Sequence, residues 1–196
     1  MSEKTFTGKI ILVTGAGKGA GRKIAQAFAA RGAVIAANDI SPINLDTVVD
    51  EINAAGGRAR AYVHDVAKKV DVQAMVNTVT DDFGRIDILV NCAHVEPRTS
   101  LINMDEWDLH RVFEVNAIGT LLMMQSVARV MRTQEGGVIV NVVKTTDDSP
   151  VSFIASRAGI AAMTRRATDE LGEHGIHIFA ITDENPVDAV LAVCKG

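Results

Sequence analysis

The sequence predicts a single α/β domain in which a doubly wound parallel sheet carries helices on both faces. Six apolar runs recur along the 196 residues, and each gap between them holds a segment with helical periodicity. Such alternation indicates parallel strands joined by helical crossovers. The chain contains neither an internal repeat nor a linker-like tract, so we expect one domain over residues 1–196.

The order of elements follows from the positions of these segments. The apolar runs predict strands at 10–13, 34–37, 59–63, 86–90, 138–143 and 176–181. The segments between them predict helices at 19–31, 43–55, 68–83, 105–132 and 151–173. In such a sheet the ligand lies beyond the carboxyl ends of the strands, at the topological switch point between the first strand and the fourth. Residues that directly follow strands are therefore the candidates for a site.

Composition and charge exclude several classes of function. A net charge of -4 without a basic cluster argues against nucleic acid or an anionic membrane as a partner. No apolar run approaches the roughly 18 residues of a membrane span, and the N-terminus lacks the apolar core of a signal peptide, so we expect a cytoplasmic protein. Cys92 and Cys194 are too few for a disulfide framework, and no Cys/His cluster has metal-ligand spacing, so no metal is expected.

The segment from Thr14 to Arg22 predicts a dinucleotide site, because it joins the first strand directly to the first helix. Its glycines allow a tight turn, bring backbone N–H groups close to a pyrophosphate and pack the helix onto the strand. The helix N-terminus adds partial positive charge. No Ser or Thr follows Lys18 to hold magnesium, which argues against a triphosphate-hydrolysing loop. The predicted cofactor-binding residues of this turn are Thr14, Gly15, Gly17, Lys18, Gly19, Ala20 and Gly21.

Asp39 ends the second apolar run, at the spacing expected for a carboxylate that binds the adenosine ribose, and Ile40 follows it. The alternative for Asp39 is a solvated strand end or a helix cap. A carboxylate here would repel the extra phosphate of NADP, so NAD is the preferred cofactor. Because the basic residues Lys18 and Arg22 lie nearby in the sequence, NADP remains an alternative cofactor.

These ordered motifs resemble the short-chain dehydrogenase/reductase family across about residues 8–182. The family's Thr-Gly-x-x-x-Gly-x-Gly corresponds to the turn described above, and its adenine-contacting Asp-Val pair corresponds to Asp65 and Val66. The family's Asn-Asn-Ala-Gly reads here as Asn91, Cys92, Ala93 and His94. The resemblance implies a Rossmann-type fold, a nicotinamide dinucleotide cofactor and an alcohol or carbonyl substrate of unknown identity.

The catalytic positions of the family are mostly changed. Its mid-helix asparagine matches Asn116, but its serine position holds Lys144, and its Tyr-x-x-x-Lys reads as Phe153 and Arg157. Phe153 has no proton to give, and general acid–base catalysis contributes about 10²- to 10⁴-fold. Arg157 keeps a positive charge and could still bind a ribose hydroxyl. The resemblance therefore implies cofactor binding with altered or weak catalysis.

Three functions remain open at this point. The first is a weak oxidoreductase, in which Lys144 or His94 substitutes for the lost groups. The second, which the residues favour, is a non-catalytic dinucleotide-binding protein or sensor, and the third is a structural subunit that pairs with an active relative. The resemblance implies a homodimer through the helices at 105–132 and 151–173. After residue 182 the sequence departs from the family, and its substrate-covering loop is not expected.

Overall fold

Six parallel strands form one sheet in the computed structural model, which describes residues 5–195. The strand order is β3-β2-β1-β4-β5-β6. Sheet growth therefore reverses between β1 and β4, which confirms the predicted doubly wound fold and its switch point. The strands are β1 (Ile10–Thr14), β2 (Val34–Asp39), β3 (Arg58–Val63), β4 (Ile88–Asn91), β5 (Gly137–Val142) and β6 (Ile176–Ile181).

Helices connect the strands in the predicted alternation. They are α1 (Gly19–Ala29), α2 (Pro42–Ala54), α3 (Lys69–Phe83), α4 (Glu106–Val112), α5 (Thr120–Thr133), α6 (Val151–Gly172) and α7 (Pro186–Val193). The helix predicted over 105–132 is divided, because a π-helical segment, Phe113–Gly119, joins α4 to α5. Within residues 5–195, none of the helices combines the length and the apolar character that a membrane crossing requires.

The sheet separates two hydrophobic cores, as the alternation of side chains along a strand requires. In β1, Ile11 and Val13 face one core, whereas Ile10 and Leu12 face the other. The first core contains buried residues of α1 and α2, among them Phe28, whose side chain is fully buried. The second contains buried residues of α3 and α5. Burying a side chain of this size stabilises the fold by about 1.5–3 kcal/mol.

The last apolar stretch, for which no helix or strand was predicted, forms α7. Pro186 occupies the first turn, where its missing N–H removes no helical hydrogen bond. Val190 and Leu191 are buried in the first core, and α7 packs against α1. This helix therefore borders the end of the sheet at which the predicted site residues lie.

Candidate functional site: a cofactor cleft and an adjoining pocket

The turn between β1 and α1 approaches the end of β4 closely. Gly15 has a φ of +65°, and a Cβ built there would lie 2.7 Å from the Cα of Ala93. A Cβ on Gly21 would collide with the carbonyl oxygen of Gly15. Thr14 fixes the same approach, because its Oγ1 accepts hydrogen bonds from the N–H groups of Cys92 (3.1 Å) and Ala93 (3.2 Å). Glycine at 15 and 21 is thus required by packing.

Backbone donors are available where α1 begins. Within the described residues, the N–H groups of Lys18, Gly19 and Ala20 have no hydrogen-bond partner. A Cβ on Gly19 would have no atom within 4 Å, so space is open on that side of the turn. Unpaired N–H groups at a helix N-terminus favour an anion. This arrangement fits the diphosphate of a dinucleotide.

Asp39 lies half-buried at the end of β2, beside the glycine turn. Its Oδ2 accepts a hydrogen bond from the N–H of Gly17 at 3.0 Å, and its Oδ1 accepts one from the N–H of Ser41 at 3.0 Å. Arg22 does not reach this carboxylate, because its guanidinium pairs with both carboxylate oxygens of Glu51 at 2.5 and 2.6 Å. Among the described residues, backbone donors alone therefore fix the carboxylate at the ribose position.

Asp65 and Val66 follow β3 and line the cleft from the opposite side. The Oδ1 of Asp65 accepts the N–H of Ala67 at 3.0 Å, and Arg111 approaches its Oδ2 to 3.7 Å. Asp65 does not cap α3, because the residue before that helix is Lys68. Its carboxylate instead supports the loop and positions a guanidinium at the cleft.

The cleft enclosed by these segments has a volume of about 320 Å³. Most predicted cofactor-binding residues line it: Gly15, Lys18, Gly19, Ala20, Gly21, Asp39, Ile40, Asp65, Val66, Cys92 and Ala93. Four other predicted residues do not line it: Thr14, Gly17, Asn91 and Arg157. Further lining residues were not predicted: Asn38, Ser41, Asn44, Val95, Arg111 and Val115. Asn38, Ser41 and Asn44 could have been found from their closeness to Asp39. Val95 follows His94 and Val115 precedes Asn116, but Arg111 had no such signal.

The predicted catalytic positions Lys144, Phe153 and Arg157 come together around a second pocket of about 200 Å³, at the ends of β4 and β5. Asn116 does not line this pocket. It is fully buried, with Oδ1 accepting the N–H of Val95 (2.9 Å) and Nδ2 donating to the carbonyl of Val95 (3.0 Å) and to Ser156 Oγ (3.1 Å). Asn116 thus fastens the loop after β4 to α6, from within the π-helical segment.

The side chain of Asn91 also makes contacts that hold the fold together. Its Nδ2 donates to Asn141 Oδ1 at 2.8 Å, and Asn141 Nδ2 donates to Thr164 Oγ1 at 2.8 Å. Asn91 and Asn141 are aligned partners in neighbouring strands, which explains their contact. This pair, which joins β4 to β5 and to α6, was not predicted.

Arg157 points into the fold. Its side chain is buried, Nη1 donates to the carbonyl of Val142 at 3.0 Å, and Cζ lies 4.7 Å from the centre of the Phe153 ring. Burial lowers the pKa of Arg157 to about 10, so the guanidinium remains charged at neutral pH. Arg157 lines the second pocket and does not line the cofactor cleft.

His94 borders both cavities, with its ring 5.7 Å from that of Phe153. Nδ1 lies 2.8 Å from the carbonyl oxygen of Cys92. A carbonyl only accepts, so Nδ1 carries the proton and Nε2 is left as an acceptor. Burial, and then the charge of Arg157, lower the pKa of His94. At neutral pH the uncharged form of the ring therefore predominates, and this form has no proton on Nε2.

The other reactive side chains near the pocket are constrained as well. Lys144 donates from Nζ to the carbonyl of Glu184 at 2.9 Å. Burial raises the pKa of Cys92 to about 12, which keeps it a thiol. Within residues 5–195, no three His, Cys, Asp or Glu side chains converge as metal ligands do.

Comparison with known proteins places these features in a family. The family model described as short chain dehydrogenase matches residues 9–184. A curated relative, the 3-oxoacyl-[acyl-carrier-protein] reductase of Thermotoga maritima, is 35% identical over 178 residues, which are 89% of this chain and 72% of the relative.

Two solved structures have the same fold. A 7α-hydroxysteroid dehydrogenase complexed with NADH and 7-oxo glycochenodeoxycholic acid matches with a TM-score of 0.85 and 30% identity, over 93% of this chain and 74% of its own. A metagenomic short-chain oxidoreductase in complex with NADP matches with a TM-score of 0.90 and 26% identity, over 98% and 93%. Sequence motifs, cleft geometry and relatives agree, and the chain belongs to the short-chain dehydrogenase/reductase family of NAD(P)-binding oxidoreductases.

Proposed function

We propose that this chain binds NAD and that the family's oxidoreduction of alcohols and carbonyls is lost or slow in it. The observation that carries the proposal is a contrast within one site. The cofactor cleft retains its glycine turn and carboxylate, whereas Phe153 stands where the family has a proton-donating phenol. NAD, when bound, supplies the hydride donor or acceptor.

Binding is assigned to groups whose positions are fixed. The N–H groups of Lys18, Gly19 and Ala20 bind the diphosphate, Asp39 accepts from the adenosine ribose hydroxyls, and Val66 lies against the adenine. These assignments need no rearrangement of the β1–α1 turn. The adenosine side of the cleft therefore fits the cofactor.

The preference for NAD over NADP rests on Asp39 and Arg22. A carboxylate held at the ribose repels a 2′-phosphate, and Arg22, which could have neutralised that phosphate, pairs with Glu51 at 2.5 Å. Of the described basic side chains that line the cleft, Lys18 lies on the glycine turn, whereas Arg111 approaches Asp65. One lysine offers a single point charge rather than a bidentate contact.

We attribute the loss of turnover to the lack of side chains near the second pocket that can donate a proton to a carbonyl substrate. Phe153 carries none, and neutral His94 directs its only ring N–H at the Cys92 carbonyl. Lys144 donates to Glu184, on the side of α7. Carbonyl reduction therefore lacks the family's positioned phenol, and a positioned acid contributes about 10²- to 10⁴-fold in such reactions.

The second candidate function is that of a slow dehydrogenase, and the position of one side-chain atom favours it. Nε2 of His94 is an acceptor at the junction of the two cavities, where it could take the proton of an alcohol. This chemistry supports oxidation of an alcohol and not reduction of a carbonyl.

We further propose a homodimer through the paired helices α5 and α6 and the segment before them. Apolar side chains stay exposed there: Ile118 (48%), Leu121 (46%), Val151 (55%) and Ile154 (42%). Patches of this kind are typical of subunit contacts. Light scattering at micromolar concentration should give twice the monomer mass, and a monomer would remove this proposal.

Calorimetric titration with NAD and NADP, followed by NADH consumption with a panel of ketones and aldehydes, tests the proposed function. NAD binding without turnover supports it. Turnover that Lys144→Ala or His94→Ala abolishes would establish a rewired enzyme instead. Absence of binding would overturn the proposal and favour a structural subunit that pairs with an active relative.

A further inference from the structure

His94 stands where the cofactor cleft meets the second pocket. The two cavities, of about 320 and 200 Å³, share three lining residues, Ala20, Cys92 and His94. The motif that resembles Asn-Asn-Ala-Gly has histidine at its last position, where a glycine would place no side chain. An imidazole at this point therefore narrows the passage from one cavity to the other.

Two contacts fix the imidazole ring in this passage. Nδ1 lies 2.8 Å from the carbonyl oxygen of Cys92, and the ring centre lies 5.7 Å from that of the Phe153 ring. Cys92 and Phe153 are both buried, so the packing around them resists displacement. A group that passes from the cleft into the second pocket must move the imidazole of His94 away from these contacts.

The position of His94 divides a dinucleotide between its two nucleotides. The groups assigned to the diphosphate, to the adenosine ribose and to the adenine all belong to the cleft and its glycine turn. The nicotinamide and its ribose would have to lie beyond His94, in the second pocket. The cleft volume is near the lower end of the range of roughly 300–1,000 Å³ that is typical of small-molecule sites. The cleft therefore suits the adenosine diphosphate half better than the whole dinucleotide.

The second pocket has few groups that can bind the nicotinamide half. Phe153 lacks the hydroxyl of the family's tyrosine, and Arg157 is only 4% exposed and donates to a backbone carbonyl. Of the described charged side chains that line this pocket, Arg98, Lys144 and Arg157 are basic and Glu96 is acidic. The nicotinamide ring of NAD⁺ is a cation, so an excess of positive charge disfavours it there.

We propose that the ligand of this cleft is an adenosine diphosphate sugar, exemplified by ADP-ribose, and that His94 favours it over the intact dinucleotide. Because Nδ1 carries the proton, Nε2 of His94 is an acceptor, and it has no hydrogen-bond partner within residues 5–195. It can accept a hydrogen bond from a hydroxyl of the terminal ribose, which is uncharged and ends the ligand at the narrow passage. The inference rests on the proposed function, because it assigns the adenosine diphosphate half to the same groups.

Calorimetric titration of the whole chain with ADP-ribose and with NAD tests this preference. ADP-ribose should bind about tenfold more tightly than NAD, because the nicotinamide must break the hydrogen bond of His94 to enter the second pocket. Binding of ADP-ribose that is no tighter than binding of NAD would overturn the inference.

His94→Gly tests the residue itself, since it restores the family's glycine. The variant should bind NAD about tenfold more tightly than the parent chain does, and the preference for ADP-ribose should vanish. NADH fluorescence is a second readout, because a nicotinamide that enters the pocket leaves water. The emission of bound NADH should shift to shorter wavelength in the variant and not in the parent chain.

His174→Gly, at an exposed position in the turn before β6, is the matched control and should bind both ligands as the parent chain does. If His94→Gly left the ratio of the two affinities unchanged, the role assigned to His94 would be wrong.

The same titrations separate this inference from the proposed function. If NAD binds more tightly than ADP-ribose, the proposed function holds and the preference assigned to His94 is wrong. If ADP-ribose binds and NAD does not, the inference holds and NAD is not the ligand. If neither binds, the assignment of the cleft to an adenosine diphosphate group is wrong, and the proposed function and the inference both fail.

Discussion

The two halves of the site differ in how their charges are compensated. In the cofactor cleft, Asp39 accepts hydrogen bonds from two backbone N–H groups. Nearby, Arg22 is paired with Glu51. In the second pocket, Arg157 is buried with one carbonyl and one aromatic ring, and its Nε has no partner. Backbone geometry that binds a cofactor has been retained, while the side chains that perform proton transfer have changed. The proposed function therefore assigns binding and catalysis to different halves of the site.

The largest expected effect on activity comes from restoring the family's residues at the catalytic positions. The triple variant Lys144→Ser, Phe153→Tyr and Arg157→Lys should increase NADH-dependent reduction of ketones by about 10²-fold or more, because it supplies a positioned proton donor. NADH consumption measures this gain. Ile154→Tyr, which places a phenol on the exposed side of the same helix, is the control and should give none. No gain in the triple variant, with NAD binding intact, would mean that His94 or the shape of the pocket is the obstacle.

A second prediction concerns the backbone of the cofactor cleft. Gly15→Ala would place a Cβ 2.7 Å from the Cα of Ala93 at a φ of +65°. The free energy of unfolding should fall by about 2–4 kcal/mol, and NAD binding should be lost. Urea unfolding and calorimetry measure the two effects. Gly159→Ala in α6, where the Cβ meets no atom within 4 Å, should instead stabilise by roughly 0.5–1 kcal/mol. If the Gly15→Ala variant lost neither stability nor NAD binding, the close approach of Gly15 to Ala93 would be contradicted.

A third prediction tests the carboxylate at the ribose position. Asp39→Asn keeps the shape but removes the charge that accepts from Gly17 and Ser41. NAD affinity should fall about tenfold, and the discrimination against NADP should narrow or vanish. Calorimetric titration with both cofactors measures this, with exposed Asp46→Asn in α2 as the control. If the preference for NAD survived the substitution unchanged, Asp39 would not determine it.

The smallest effect is a pH dependence. Because partial desolvation, and then the charge of Arg157, lower the pKa of His94, the unfolded chain binds a proton more readily than the folded chain does. Stability should therefore decrease as the pH falls below about 6.5, the usual histidine value. Urea unfolding at pH 5 and pH 7.5 measures the difference, which His94→Gln should reduce. Exposed His177→Gln should retain it. A steeper dependence in His94→Gln would contradict the lowered pKa.

Much of the cofactor cleft could be predicted from sequence, since its signals are short-range. The glycine turn spans nine residues, and Asp39 ends the strand that follows α1. The second pocket was predicted less well. Lys144, Phe153 and Arg157 were aligned to family positions, but the contacts of their side chains depend on β4, β5 and α6 together. The involvement of Arg111 in the cleft had no local signal at all.

The sequence by itself determined the α/β fold class, the switch point, the β1–α1 turn and the absence of a phenol at residue 153. Periodicity and spacing encode these features, because each depends on residues that are near one another in the chain. Only the tertiary structure decided that Arg22 pairs with Glu51, that Asn91 meets Asn141, and that Arg157 turns toward Val142. Strand register and helix packing bring together groups separated by 29, 50 and 15 residues, and no local pattern specifies which donor meets which acceptor.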